Sequence, residues 1–119
     1  MAVVPTWAMR DILWLPAAAK AFTDFPEEVR RRVARALDIA AQGQMADSAK
    51  PMKGLEGGVF EIAVPYRNDA FRAVYAVKIG ADIWVIHAFQ KKSKQGIKTP
   101  QHEVDVLRER LRRLKAALK

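Results

Sequence analysis

Residues 59–89 read VFEIAVPYRNDAFRAVYAVKIGADIWVIHAF. The run is dense in β-branched and aromatic residues, and two short polar breaks divide it into three predicted strands. Tyr66-Arg67-Asn68-Asp69 has hairpin-turn composition between strands at 59–65 and 70–79. Gly80-Ala81-Asp82 turns the chain again, into a strand that starts at Ile83. Two tight turns in succession predict an antiparallel meander. The third strand, Ile83-Trp84-Val85-Ile86-His87-Ala88-Phe89, passes without a spacer into Gln90-Lys91-Lys92-Ser93-Lys94. A core strand that ends in lysines sets positive charge at a sheet edge, where phosphates of a polyanion are the expected ligands.

Working outward, residues 9–15 read as a short strand closed by Pro16, which has no N–H for a ladder. An alanine-rich helix follows at 17–22. Asp24 and Glu27 have capping-box spacing with Pro26 in the first turn, predicting a second helix to about Gln42, stopped by Gly43. Val29, Val33, Ala36, Leu37 and Ala40 share one face of it, and Arg30, Arg31 and Arg32 point away. Residues 43–58, rich in Gly, Ser, Asp and Pro, read as a connection without an element. Thr99-Pro100 reads as the cap of a last helix, with proline at its first position. Val104, Leu107, Leu111, Leu114 and Leu118 form its apolar stripe. The predicted order is strand, helix, helix, three-stranded antiparallel meander, helix: a single α+β domain over residues 1–119, with helices against a mostly antiparallel sheet.

Alternation along the strands sorts the side chains. Phe60, Ile62 and Val64 share a face, as do Phe71, Ala73, Tyr75, Val77 and Ile79, and these apolar sets are expected under the first two helices. Glu61 and Arg72 then fall on the other face, as neighbours. An arginine within a strand is costly unless paired or solvated. Two readings stay open: a structural Glu61–Arg72 ion pair, or an Arg72 that grips phosphate with its planar fork while Glu61 orients it. His87, flanked by Ile86 and Ala88, reads as a core histidine, and His102 as a surface residue in the first turn of the last helix. No metal-ligand spacing is present.

Twenty-one Lys and Arg oppose thirteen Asp and Glu among 119 residues, a net charge of +8. That balance points to nucleic acid or an acidic protein as partner, against a basic surface kept for solubility. The absence of cysteine excludes disulfides, thiolate chemistry and Cys-based zinc sites, and is compatible with a cytoplasmic setting. No apolar run approaches the roughly 20 residues that span a bilayer, and the first residues lack the pattern of a secretory signal.

The segments Lys50-Pro51-Met52-Lys53-Gly54-Leu55, Gly58-Val59-Phe60-Glu61-Ile62, Phe71-Arg72-Ala73-Val74-Tyr75 and His87-Ala88-Phe89-Gln90-Lys91-Lys92-Ser93-Lys94 carry a resemblance. In order and spacing they resemble the phage-related HigB branch of the RelE/ParE superfamily of type II toxin–antitoxin toxins, from about Leu13 to Leu114. The resemblance implies a RelE-like fold and a toxin made together with an antitoxin that often carries a helix-turn-helix domain. HigB-like and RelE-like members cut mRNA on the ribosome without metal or cofactor, whereas ParE-like members inhibit DNA gyrase, so the fold alone does not select the target. Carried onto this sequence, the family's strand arginine falls on Arg72, its cationic segment on Lys91, Lys92 and Lys94, and its loop lysines on Lys50 and Lys53. The family often places a Tyr or His near its carboxyl end. Here no Tyr follows Tyr75, so Glu61 and His102 are the candidates for proton transfer. The expectation is a ribosome-dependent endoribonuclease with Arg72, Lys91 and Lys92 at the reacting phosphate, and Lys50, Lys53, Lys94 and Lys98 on the RNA. The alternatives are a ParE-like gyrase inhibitor and a phage-derived nucleic-acid-binding protein without catalysis.

Overall fold

The computed structural model describes residues 9–92 and 98–118, with Lys92 by its backbone alone. Eight elements follow one another: β1 (Ile12–Trp14), α1 (Pro16–Thr23), α2 (Glu27–Ala41), β2 (Ala49–Pro51), β3 (Val59–Tyr66), β4 (Asp69–Ala76), β5 (Ile83–Lys92) and α3 (Gln101–Ala117). The five strands form one sheet in the order β1-β5-β4-β3-β2. β1 runs parallel to β5, and all other neighbours are antiparallel. The predicted meander is the centre of this sheet.

One apolar layer lies between the sheet and the first two helices. Ile62, Val64, Phe71, Ala73 and Tyr75 meet Ala18, Val29, Val33 and Leu37 there. A second layer lies between the opposite face and α3, where Val59, Val74, Ala76, Ile86 and Phe89 pack on Leu107, Leu111 and Leu114. Among the described residues no helix is long and apolar enough to cross a membrane.

Several local expectations are corrected. The first strand is three residues long: the backbone N–H of Arg10 goes to the carbonyl of Ala41 and not to β5, while its guanidinium binds the carbonyls of Val77, Ala81 and Asp82, fixing the turn between β4 and β5. Pro16 does not merely close β1; it opens α1, where a missing N–H is harmless. Asp24 caps the end of α1, so it makes no capping box, and the N-cap of α2 is Pro26 without a side-chain bond. The 43–58 connection contains β2, an edge strand that pairs Ala49, Lys50 and Pro51 with Ile62, Glu61 and Phe60. Pro51 is tolerated there because an edge strand has unpaired positions. β4 ends at Ala76, after which the alternation lapses, and Ile79 joins the α3 layer and not the face of Phe71. Pro100 is the N-cap of α3, not its first helical residue.

β5 carries one irregularity. Its partners step from Val74↔His87 to Tyr75↔Val85, so Ile86 is an extra residue in the ladder. Such a bulge shifts the alternation by one. Ile83 and Val85 face the α1–α2 layer, whereas Ile86 and Phe89 belong to the α3 layer, and His87 reaches residues of α3.

Candidate functional site

Glu61 and Arg72 stand on adjacent strands, two residues off direct register, since Glu61 opposes Val74 and Arg72 opposes Ala63. Diagonal partners on one face are within reach of long side chains. Arg72 Nη1 donates to Glu61 Oε1 at 2.8 Å. The other carboxylate oxygen, Oε2, accepts the hydroxyl of Thr99 at 2.7 Å. Both ionic partners are buried, with 2% of Glu61 and 4% of Arg72 exposed.

Lys91 joins them from β5, also buried, and donates from Nζ to the carbonyl of Lys98 at 2.6 Å. Burial pushes its pKa below the ordinary 10.5; the positive charges of Arg72 and Lys50 push the same way, and Glu61 opposes them. Lys50 lies directly opposite Glu61 on β2, hence on the same face. One carboxylate therefore stands among several cations in a setting of low water content, where charge interactions are strong.

Two clefts open beside the cluster. One of about 340 Å³ is lined by Lys50, Lys53, Glu61, Lys98, Thr99 and the apolar Met52 and Val104 among others. A second, also about 340 Å³, is lined by Lys91, Lys98, Thr99, Pro100 and Gln101. Lys98 and Thr99 belong to both and form the ridge between them.

The sequence-derived candidates thus divide. Glu61, Arg72 and Lys91 meet, and Lys50, Lys53 and Lys98 border the same clefts. Lys92 closes the β5 ladder opposite Asp69; its side chain, like Lys94, lies outside the described residues. His102 is exposed on α3 and lines neither cleft. Among the described residues no group of three or more His, Cys, Asp or Glu side chains could hold a metal ion.

Thr99 was expected as a helix cap, and its bond to Glu61 is a long-range contact that local pattern does not announce. The partners of His87 were also missed. Its Nε2 lies 2.7 Å from Glu103 Oε1, and its Nδ1 lies 3.0 Å from Arg110 Nη1. A guanidinium only donates, so Nδ1 is the acceptor and the ring is the neutral Nε2–H tautomer, donating to Glu103. Burial holds the His87 pKa below 6.5, the Glu103 bond acts against that, and Arg110 acts with it. Glu103 and Arg110 are seven residues apart, two helical turns, and that spacing was a readable hint of one shared face.

A protein family described as Phage derived protein Gp49-like (DUF891) matches residues 20–112. The chain belongs to this family. Among curated protein sequences, none matches the Gp49-like chain significantly. Among solved structures, it is similar to the Escherichia coli toxin RelE, a double arginine-to-alanine mutant in the free state. That likeness has a TM-score of 0.61 and 16% identity, and covers 88% of this chain and 97% of the other. It is also similar to a chain of the toxin–antitoxin complex RelBE2 from Mycobacterium tuberculosis, with a TM-score of 0.50 and 11% identity, over 72% of this chain and 95% of that one. The Gp49-like chain therefore has the RelE fold, an α+β sheet with helices.

Proposed function

We propose that the chain is the toxin of a type II toxin–antitoxin system and cleaves mRNA on the ribosome. The observation that carries this reading is the meeting of Arg72 and Lys91 beside clefts bordered by Lys50, Lys53 and Lys98, on a RelE fold. In the proposed step an RNA 2′-oxygen attacks the neighbouring phosphorus and the 5′-oxygen leaves, producing a 2′,3′-cyclic phosphate. Arg72 offers a planar fork to the phosphoryl oxygens, where negative charge grows. Lys91, its proton loosened by burial and by like charge, supplies that proton to the departing 5′-oxygen. Lys50, Lys53 and Lys98 hold flanking phosphates.

Glu61 serves this scheme as the anchor of Arg72. In the free chain both of its oxygens accept hydrogen bonds, one from Arg72 and one from Thr99. Orientation of the 2′-hydroxyl then falls to the ribosome, its proton passes to water as the 2′-oxygen attacks, and a partner that presets geometry can supply a large part of a barrier reduction. Burial of Arg72 and Lys91 in the free chain fits a site that is inert until RNA is presented to it. The same basic chain suits an acidic antitoxin as its partner.

The test is primer extension on a defined mRNA in a purified translation system, with and without ribosomes. Cleavage confined to the sample with ribosomes is expected. Absence of cleavage in both, with growth inhibition retained, refutes the nuclease reading in favour of a gyrase inhibitor.

A further inference from the structure

The ridge between the two clefts holds a hydroxyl to which the reading above gives no part. Thr99 lines both clefts and is half-buried, and its hydroxyl is bound to the one anion of the cluster. Its neighbour Lys98 holds the ammonium of Lys91 through a backbone carbonyl. Both cationic groups assigned to the phosphate are therefore tied, directly or through Glu61, to two adjacent residues. With 4% of Arg72 and 8% of Lys91 exposed, a phosphate oxygen has little access to either in the free chain.

We propose that Thr99 is a positioning residue that latches the site shut: its bond to Glu61 holds the Lys98–Thr99 ridge over Arg72 and Lys91, and an incoming phosphodiester displaces it. The proposal rests on the reading of this cluster as a phosphate site. Displacement joins the two clefts and brings the cations of both to one ligand. Glu61 keeps its bond to Arg72, so the guanidinium stays oriented after the ridge has moved. The latch thus sets how much binding energy is used in opening the site, and lowers the apparent affinity by the fraction of chains that are open.

A hydrogen bond to a charged acceptor shifts an equilibrium by roughly ten- to a hundred-fold. Thr99→Val keeps the shape of the side chain and removes the bond, and Thr99→Ser keeps the hydroxyl. Inorganic phosphate is the probe, titrated into the purified chain and followed by NMR. Thr99→Val should bind it about ten-fold tighter than the parent, near the lower end of that range, and Thr99→Ser should bind it as the parent does. The gain should vanish when Arg72→Gln is added, which separates this site from the rest of a basic surface.

Unchanged or weaker affinity in a folded Thr99→Val chain overturns the latch, as does a gain that survives Arg72→Gln, or phosphate binding by neither chain. Should Thr99→Val fail to fold, the Thr99 methyl signal of the parent decides: it should shift during the phosphate titration, and a signal that stays fixed at saturation overturns the proposal. Primer extension reports separately. Tighter phosphate binding without ribosomal cleavage removes the nuclease reading alone, and cleavage without a Thr99 effect removes the latch alone.

Discussion

Replacing Arg72 by methionine should destabilise the fold far more than replacing Arg72 and Glu61 together. The single change leaves a carboxylate with 2% exposure and only the Thr99 hydroxyl at hydrogen-bond distance of its described contacts. Breaking a buried pair from one side costs about 3–5 kcal/mol. Thr99 and the nearby Lys91 and Lys50 charges remain, so the low end, about 3 kcal/mol, is expected. That lowers the folding equilibrium by roughly a hundred-fold, within the 5–15 kcal/mol or so that holds a domain of this size. Arg72→Met combined with Glu61→Leu removes both charges and puts apolar side chains beside Val59, Val74 and Phe89, with the Lys91 ammonium still held by the carbonyl of Lys98. This pair should recover at least about 2 kcal/mol of the loss, because apolar replacements of buried ion pairs are often neutral or better. Equilibrium urea unfolding of the parent, both single variants and the double closes the cycle. A single Arg72→Met loss under about 1 kcal/mol, or a double variant as unstable as the sum of the singles, would refute the claim that the pair is desolvated and coupled. The same series guards the activity test, since a loss of toxicity in an unfolded Arg72 variant says nothing about phosphate.

Three further outcomes are expected. The neutral His87 clasp makes stability depend on pH: with a folded pKa below 6.5, the unfolded chain binds more protons in that window, so stability rises with pH there. Its contribution is full above pH 6.5 and is lost as pH falls below it; the urea midpoint should drop accordingly, and His87→Gln should flatten that slope. Gly58→Ala should cost about 1–2 kcal/mol in thermal unfolding, for Gly58 has a φ of +84° and a Cβ there would meet Lys78 Cγ at 2.7 Å. Shortening Lys78 to Ala should return only the part due to the clash. Replacing Lys50 and Lys98 by Ala should weaken single-stranded RNA binding and flatten its log–log salt dependence by about 0.7 for each lysine, measured by fluorescence anisotropy.

The sheet's centre was legible because its residues alternate and its turns are tight, so pattern and structure report the same contacts. The pairing of Glu61 with Arg72 followed from parity for the same reason. Other features rest on tertiary contact that no local pattern encodes. Ala49-Lys50-Pro51 has no strand composition and becomes β2 only because Phe60, Glu61 and Ile62 offer it a ladder. Thr99 has the look of a helix cap, yet its hydroxyl spans 38 residues of sequence to reach Glu61. Asp24 and Glu27 have the right spacing for a capping box, but the end of α1 claims Asp24 first. His87 was read correctly as a satisfied residue of the interior, and its partners on α3 could not be named from its own apolar neighbours.

The extra residue at Ile86 gives the site a dependence on counting and not only on chemistry. Odd-numbered positions of β5 before it lie toward the first two helices, and odd-numbered positions after it lie toward α3. Remove Ile86 and the ladder closes up smoothly, with His87 still opposite Val74 and Phe89 still opposite Arg72, so His87, Phe89 and Lys91 keep the α3 face. Remove instead one residue between His87 and Lys91, where the ladder has none to spare, and Lys91 turns toward α1 and α2, away from Arg72. Related chains can therefore lose the extra residue with the face of the site intact, but a lone deletion after His87 inverts everything downstream, much as a frameshift does to a message.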